Sequence, residues 1–124
     1  VRAARPVVHD NVWARILDLP RALGGRRYAA GVDIVLEVSD DLVPANAGRW
    51  RLSAAAFGPA TVDRTDDYPD LSLDIRELGA AYLGGVPLSQ LAGSGLVGVH
   101  SAAALDRATV AFGWTQLPVA SWVF

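Results

Sequence analysis

The chain is 124 residues long, enough for one ordinary domain spanning 1–124 and too short for two. Apolar residues make up 52% and charged residues 19%, which excludes a disordered chain, and a formal charge of −2 leaves no basic surplus with which to bind nucleic acid. The absence of cysteine excludes a disulfide framework and a thiolate metal site and fits a cytoplasmic protein, and no stretch reaches the ~18 apolar residues of a membrane span.

The opening, Val1 to Pro6, carries two arginines without an apolar run behind them, so it does not have the form of a signal peptide. The chain holds no methionine, position 1 included, and is therefore expected to be a fragment or processed piece of a longer protein. Val12 to Leu17 has the apolar composition of a buried strand. Asp18 is placed to cap a short helix, with Pro20 in its first turn and Gly24-Gly25 ending it. Asp33 to Val38 is rich in β-branched residues and reads as a strand, followed by a turn at Pro44, Asn46 and Gly48.

Arg49 to Leu52 alternates charged and apolar residues, as a strand with one wet face does, and Ala60 to Arg64 supplies another short strand after Gly58-Pro59. These three segments predict an antiparallel meander. Leu71 to Ile75 alternates again and runs into a helix over Arg76 to Leu83, stopped by Gly84-Gly85, and Pro87 to Ala92 predicts one or two further helical turns. Ser101 caps an amphipathic helix to Phe112 with Ala104, Leu105, Ala108 and Ala111 on its apolar side, and Gly113 ends it. With strands early and helices late, the expected class is α+β: a mostly antiparallel sheet with helices packed on one face.

Side chains that could carry chemistry are few. His9 and His100 stand apart from any second ligand at metal spacing, so no metal site is expected. Asp66-Asp67 lies in a turn composition, where neighbouring acids are solvated, and Arg26-Arg27 is expected to be a solvated rim or an interface pair. The glycine-rich stretches Gly24-Gly25, Gly84-Gly85 and Gly93-Ser94-Gly95 match no phosphate-binding loop and read as helix stops. The segment 114–124 is unusual: an apolar C-terminal tail with Trp114 and Trp122 that closes on Phe124. Chain ends are normally polar and frayed, so this one is expected to dock, either over the sheet or into a pocket or neighbouring domain.

The run Trp13-Ala14-Arg15-Ile16-Leu17-Asp18-Leu19-Pro20-Arg21-Ala22-Leu23, with Arg26-Arg27-Tyr28, Asn46-Ala47-Gly48-Arg49-Trp50-Arg51-Leu52, Arg64-Thr65-Asp66-Asp67 and Ala81-Tyr82-Leu83-Gly84-Gly85, resembles the C-terminal domain of the enhanced-intracellular-survival (Eis) acetyltransferases. The second half, from Asp70 through Leu91-Ala92-Gly93-Ser94-Gly95 to Ala111-Phe112, is similar to sterol-carrier-protein domains. The resemblance runs from about Val12 to the end. It implies a sterol-carrier-like fold that follows two acetyltransferase domains of the GNAT type, in a homo-oligomer that is hexameric in the family.

The family's reaction moves an acetyl group from acetyl-CoA to amines, including aminoglycosides and lysine side chains. The resemblance implies that acetyl-CoA is held by the N-terminal domains, with no cofactor bound in this segment. The tyrosine that protonates the leaving thiolate belongs to those domains as well, and Tyr28, Tyr68 and Tyr82 do not match its context. This domain's own contribution is implied to be the main-chain carboxylate of Phe124 as catalytic base, in a substrate pocket with Trp122 and Val123. One departure is Val123, where some members carry an acidic residue, and its absence weakens the attraction for a polycationic amine. The implied location is cytoplasmic, with secretion by a non-classical route as a variant. The alternatives are a stand-alone carrier of an apolar ligand and a plain assembly domain.

Overall fold

The computed structural model describes residues 15–113. Helix α1 (Leu19–Gly24) is followed by strand β1 (Val32–Ser39), a 3-10 turn (Pro44–Asn46), β2 (Gly48–Ala54), β3 (Ala60–Arg64) and β4 (Leu71–Asp74). Helices α2 (Ile75–Tyr82) and α3 (Leu88–Gly93), the short strand β5 (Val97–Val99) and helix α4 (Ala102–Phe112) complete the described elements. The strands form one sheet in the order β3-β2-β1-β4-β5. Pairing is antiparallel in β1/β2, β2/β3 and β4/β5, and parallel in β1/β4.

The expected antiparallel meander is therefore β1-β2-β3, and the α+β class with a mostly antiparallel sheet holds. Alternation sorts the sheet residues by face. Val32, Ile34, Leu36, Val38, Leu52, Leu71 and Leu73 join one core with Leu19, Leu23, Leu78, Leu88, Leu91, Ala104, Ala108 and Phe112 from the four helices. The helices thus share one face of the sheet. On the opposite face Asp33, Glu37, Arg49, Arg51 and Ser72 stand in register. Val35 on that face is nevertheless buried, and Asp70 accepts a hydrogen bond from the Val35 amide at 2.9 Å.

The helix starts follow side-chain chemistry legible in the sequence. Asp18 accepts from the Arg21 amide at 3.2 Å with Pro20 in the first turn, and Ser101 accepts from the Ala104 amide at 3.2 Å. Asp74 accepts from the Arg76 amide at 3.0 Å, which begins α2 directly at the end of β4.

Two expectations are corrected. The strand expected over Val12 to Leu17 is not formed in its described part: residues 15–17 lie outside the sheet, Ile16 is buried and Leu17 is 69% exposed. The reason is a competing hydrogen bonder, because the Asn46 side-chain amide donates to the carbonyls of Ile16 and Leu17 at 3.4 and 3.3 Å. Val12, Trp13 and Ala14 lie outside the described residues. The second correction concerns Arg26: only Arg27 is exposed, whereas Arg26 is 6% exposed inside the domain. Strand β5 was not anticipated, since three residues centred on Gly98 carry too little pattern to reveal a strand.

Candidate functional site

Phe124, Trp122 and Val123, the site residues implied by resemblance, lie outside the described residues, as does His9. What the structure does describe is the place from which that tail departs, the end of α4.

The last carbonyls of a helix have no partner within it and must find one elsewhere. Helices α2 and α3 are followed by glycines in the left-handed region, Gly84 at φ 78° and Gly95 at φ 80°. Helix α4 ends differently. Gly113 takes φ −76° and ψ 164°, so the chain leaves the helix in an extended direction. Its final carbonyls are taken by a segment from the other end of the domain. The Ala29 amide donates to the Ala111 carbonyl at 2.9 Å, and Arg26 Nη2 donates to the Phe112 carbonyl at 2.6 Å.

The sequence builds this contact by alternation after a tight stop. Gly25 closes α1 with its amide on the Arg21 carbonyl at 3.0 Å. Beyond it Arg26 turns inward, Arg27 outward to the Phe57 carbonyl at 3.3 Å, and Tyr28 inward. The Tyr28 hydroxyl donates to the Leu23 carbonyl at 2.7 Å, and its ring meets Phe112 edge-on at 5.2 Å.

The Arg26 guanidinium therefore sits among three aromatic rings, 5.0 Å from the centroids of Tyr28 and Phe112 and 5.9 Å from that of Tyr82. Burial pushes the guanidinium below its usual value, and the nearby tyrosines partly offset this. It remains a cation, because an arginine starts so far above neutrality. A cation at a helix C-terminus is favourable with the helix dipole, and ring faces attract it further. Burial is also the main reason the Tyr28 phenol is pushed well above its ordinary value, which keeps it a neutral donor.

The remaining candidates are dispersed on the opposite sheet face. Arg51 donates to Asp67 at 2.6 Å and to Asp33 at 2.8 Å. The Arg51 bond, helped by Thr65, holds the Asp67 carboxyl below its usual value, so Asp67 is a poor general acid. His100 Nε2 lies 2.9 Å from Ser72 Oγ, and the serine hydroxyl donates to Glu37 at 3.3 Å. The acid thus bonds the serine and not the imidazole, an order that does not activate a serine nucleophile.

An open depression of about 360 Å3 is lined by Arg49, Arg64, Thr65 and Asp66. Its arginines are committed to the protein: Arg64 donates to the Ala45 and Ala47 carbonyls over the Trp50 ring, and Arg49 donates to Glu37 at 3.2 Å. Among the described residues no cluster of three metal-ligating side chains occurs, and no helix is long and apolar enough to cross a membrane.

A five-stranded α+β sheet with helices on one face, whose last described helix is fastened at its end, defines the class. The family is that of the sterol carrier protein domain: its profile matches residues 19–121, and the chain belongs to it. The chain is 50% identical over 118 residues to an uncharacterized N-acetyltransferase of Streptomyces coelicolor, covering 95% of this chain and 28% of that protein. It is 34% identical over 113 residues to N-acetyltransferase Eis of Mycobacterium tuberculosis, covering 89% of this chain and 26% of that protein.

Among solved structures it superposes on Eis1 from Mycobacterium abscessus with a TM-score of 0.72 at 37% identity, over 82% of this chain and 25% of that one. A GCN5-related N-acetyltransferase from Kribbella flavida gives 0.74 at 37%, over 83% and 26%. The resemblance to the Eis acetyltransferases is borne out, and the chain spans little more than a quarter of these relatives.

Proposed function

We propose that this domain is the C-terminal part of an Eis-like N-acetyltransferase that moves an acetyl group from acetyl-CoA to an amine, and that its terminal carboxylate, on Phe124, is the general base. The observation that carries the reading is the fastened exit of α4: the Phe112 carbonyl is held by Arg26 one residue before the chain leaves the helix. The likeness to acetyltransferases about four times as long supports it. Acetyl-CoA, bound by preceding domains, supplies the acetyl thioester.

The chemistry asks for such a base. An amine attacks a thioester only as the free base, so an ammonium substrate must first lose a proton. A terminal carboxylate in water has a pKa of ~3.5 and is a weak base. A carboxylate taken into a drier, apolar pocket has that value raised, and its negative charge attracts a cationic substrate. Aminoglycosides and lysine side chains are the amine classes the resemblance implies. The setting is the cytoplasm, and the assembly is a homo-oligomer. A charged guanidinium in the core is an unfavourable wall for an apolar tunnel, which counts against the lipid-carrier alternative.

The test is to extend the full-length protein by two glycines beyond Phe124. This keeps every side chain and moves only the carboxylate. Acetylation of an aminoglycoside or a lysine peptide is expected to fall by about a hundredfold, the usual worth of a positioned base. Undiminished turnover contradicts the reading.

A further inference from the structure

We infer that Phe57 is a docking anchor: its ring, displayed at the tip of the β2–β3 hairpin, fills an apolar pocket on the acetyltransferase part of the full-length protein. The inference rests on the reading above that such a part exists, and not on the identity of the base.

The first observation is backbone strain. Phe57 has φ 56° and is the non-glycine residue in the left-handed region among the described residues. That conformation costs free energy for a bulky side chain and none for glycine. The Gly58 amide donates to the Ala55 carbonyl at 3.0 Å, closing a turn whose third position is Phe57, where a positive φ calls for glycine or asparagine. Gly58 stands at the next position and does not take the left-handed conformation itself.

The second is the way the residue is held. Its amide donates to the Tyr28 carbonyl at 2.7 Å, and its carbonyl accepts from Arg27 at 3.3 Å. The ring is nevertheless 64% exposed. The backbone of Phe57 is thus fixed to the domain while the side chain stands out from it. Strain of this kind persists where the surrounding structure imposes it, and it clusters at sites of use.

The third is composition. Ala54 to Ala60 reads Ala-Ala-Ala-Phe-Gly-Pro-Ala, without one polar side chain, although Ala55, Ala56 and Pro59 are exposed. Hairpin tips ordinarily draw on asparagine, aspartate and serine beside glycine and proline. An aromatic ring among small uncharged residues, with the exposed Arg27 at its edge, has the make-up of an interface centre.

The partner follows from what the ring needs. The depression on this domain is lined by Arg49, Arg64, Thr65 and Asp66, the wrong lining for a benzene ring, so a second copy of the domain is the poorer fit. A net charge of −2 disfavours an anionic membrane. The chain covers 28% of the Streptomyces coelicolor relative and 25% of Eis1, so most of the full-length protein lies outside this domain but tethered to it. Tethering gives such a neighbour a high effective concentration, at which a single anchor suffices.

The experiment uses the full-length protein with position 57 altered in two ways. One is photoreactive p-benzoylphenylalanine; the other is Phe57→Asn, which tolerates the left-handed conformation and removes the ring. Irradiation is expected to join position 57 to a peptide of the acetyltransferase part, located by mass spectrometry. In Phe57→Asn, hydrogen exchange in that part is expected to quicken at least about tenfold, the scale on which a truncated anchor weakens an interface. Exchange in β1, β2 and β3 should stay at the parent rate, because no core contact is lost.

Unchanged exchange outside this domain in Phe57→Asn overturns the proposal. Cross-links confined to this domain's own sequence overturn it too, since they place the ring between two copies. So does exchange that quickens throughout the three strands, which would make the ring a support of the domain itself. Neither readout uses turnover, so failure of the general-base reading shows in the carboxylate test and leaves the role of Phe57 standing.

Discussion

The Asn46 side-chain amide donates to the Asp40 carboxylate at 3.0 Å inside the domain, and through this pair the segment before α1 is fastened to the end of β1. Asp40 also accepts from Arg15 and from the Leu42 and Val43 amides, both at 3.0 Å. Asn46 completes the junction by accepting from the Leu19 amide at 3.0 Å, at the first turn of α1. The incoming chain is thus held at one junction and the outgoing helix at another, the second being Arg26 on Phe112.

Asn46 is 2% exposed and serves as both donor and acceptor, so truncating it strands several buried groups at once. Asn46→Ala is expected to destabilise the domain by about 2–3 kcal/mol, a fall in Tm of roughly 10 °C or more for a domain of this size. Thermal unfolding followed by circular dichroism checks this. A Tm within a degree or two of the parent contradicts the role given to Asn46.

Acid stability follows from the same junction. Burial by itself would raise the Asp40 carboxyl, but the hydrogen bonds from Asn46, Val43, Arg15 and Leu42 outweigh it and hold the group well below the usual carboxylate range. A folded pKa below the unfolded one means that the unfolded chain binds the proton more readily. The stabilisation is therefore complete above the ordinary carboxylate range and is lost as pH falls through that range toward the depressed value. Asp67 and Asp74 shift in the same direction. Tm is expected to decline as pH drops below about 4. The difference between the parent and Asp40→Asn should narrow over that interval, and two curves that stay parallel would count against the assignment.

Two glycines are predicted to behave oppositely. Gly48 sits at φ +122°, and a Cβ there would lie 2.3 Å from Arg64 Nη1, so Gly48→Ala meets both backbone strain and a collision. It is expected to cost about 1–3 kcal/mol. Gly113 has ordinary φ, and an added Cβ would stand 3.4 Å from the Thr109 and Val110 carbonyls. Gly113→Ala should leave stability unchanged or slightly raised through the unfolded chain's lost freedom. Chemical denaturation of the two variants separates them, and equal midpoints would refute the distinction.

Much of the fold could be read from local signals. Asp18 with Pro20, and Ser101, marked helix starts, and the β-branched run Asp33 to Val38 marked a central strand. What escaped was set by partners distant in sequence. Arg26 looks like one of two loop arginines until Phe112, 86 residues later, is brought against it. Arg15, Ile16 and Leu17 have strand composition, but their fate is decided by Asp40 and Asn46, which no periodicity links to them. The parallel pairing of β1 with β4 is likewise a product of assembly, since antiparallel neighbours β2 and β3 intervene in the chain. The candidate site was legible only as a resemblance: composition marks the tail as apolar, and nothing in its spacing announces a base.

The role of the terminal carboxylate as base is tested by the pH–rate profile of the full-length protein with and without Phe124. Deletion moves the terminal carboxylate back by one residue, onto Val123, and is expected to lower kcat by about a hundredfold or more and to abolish the acidic limb set by the carboxylate in its Phe124 position, while acetyl-CoA binding is retained. A deletion variant that acetylates amines at the parent rate, with the parent's pH profile, would contradict it.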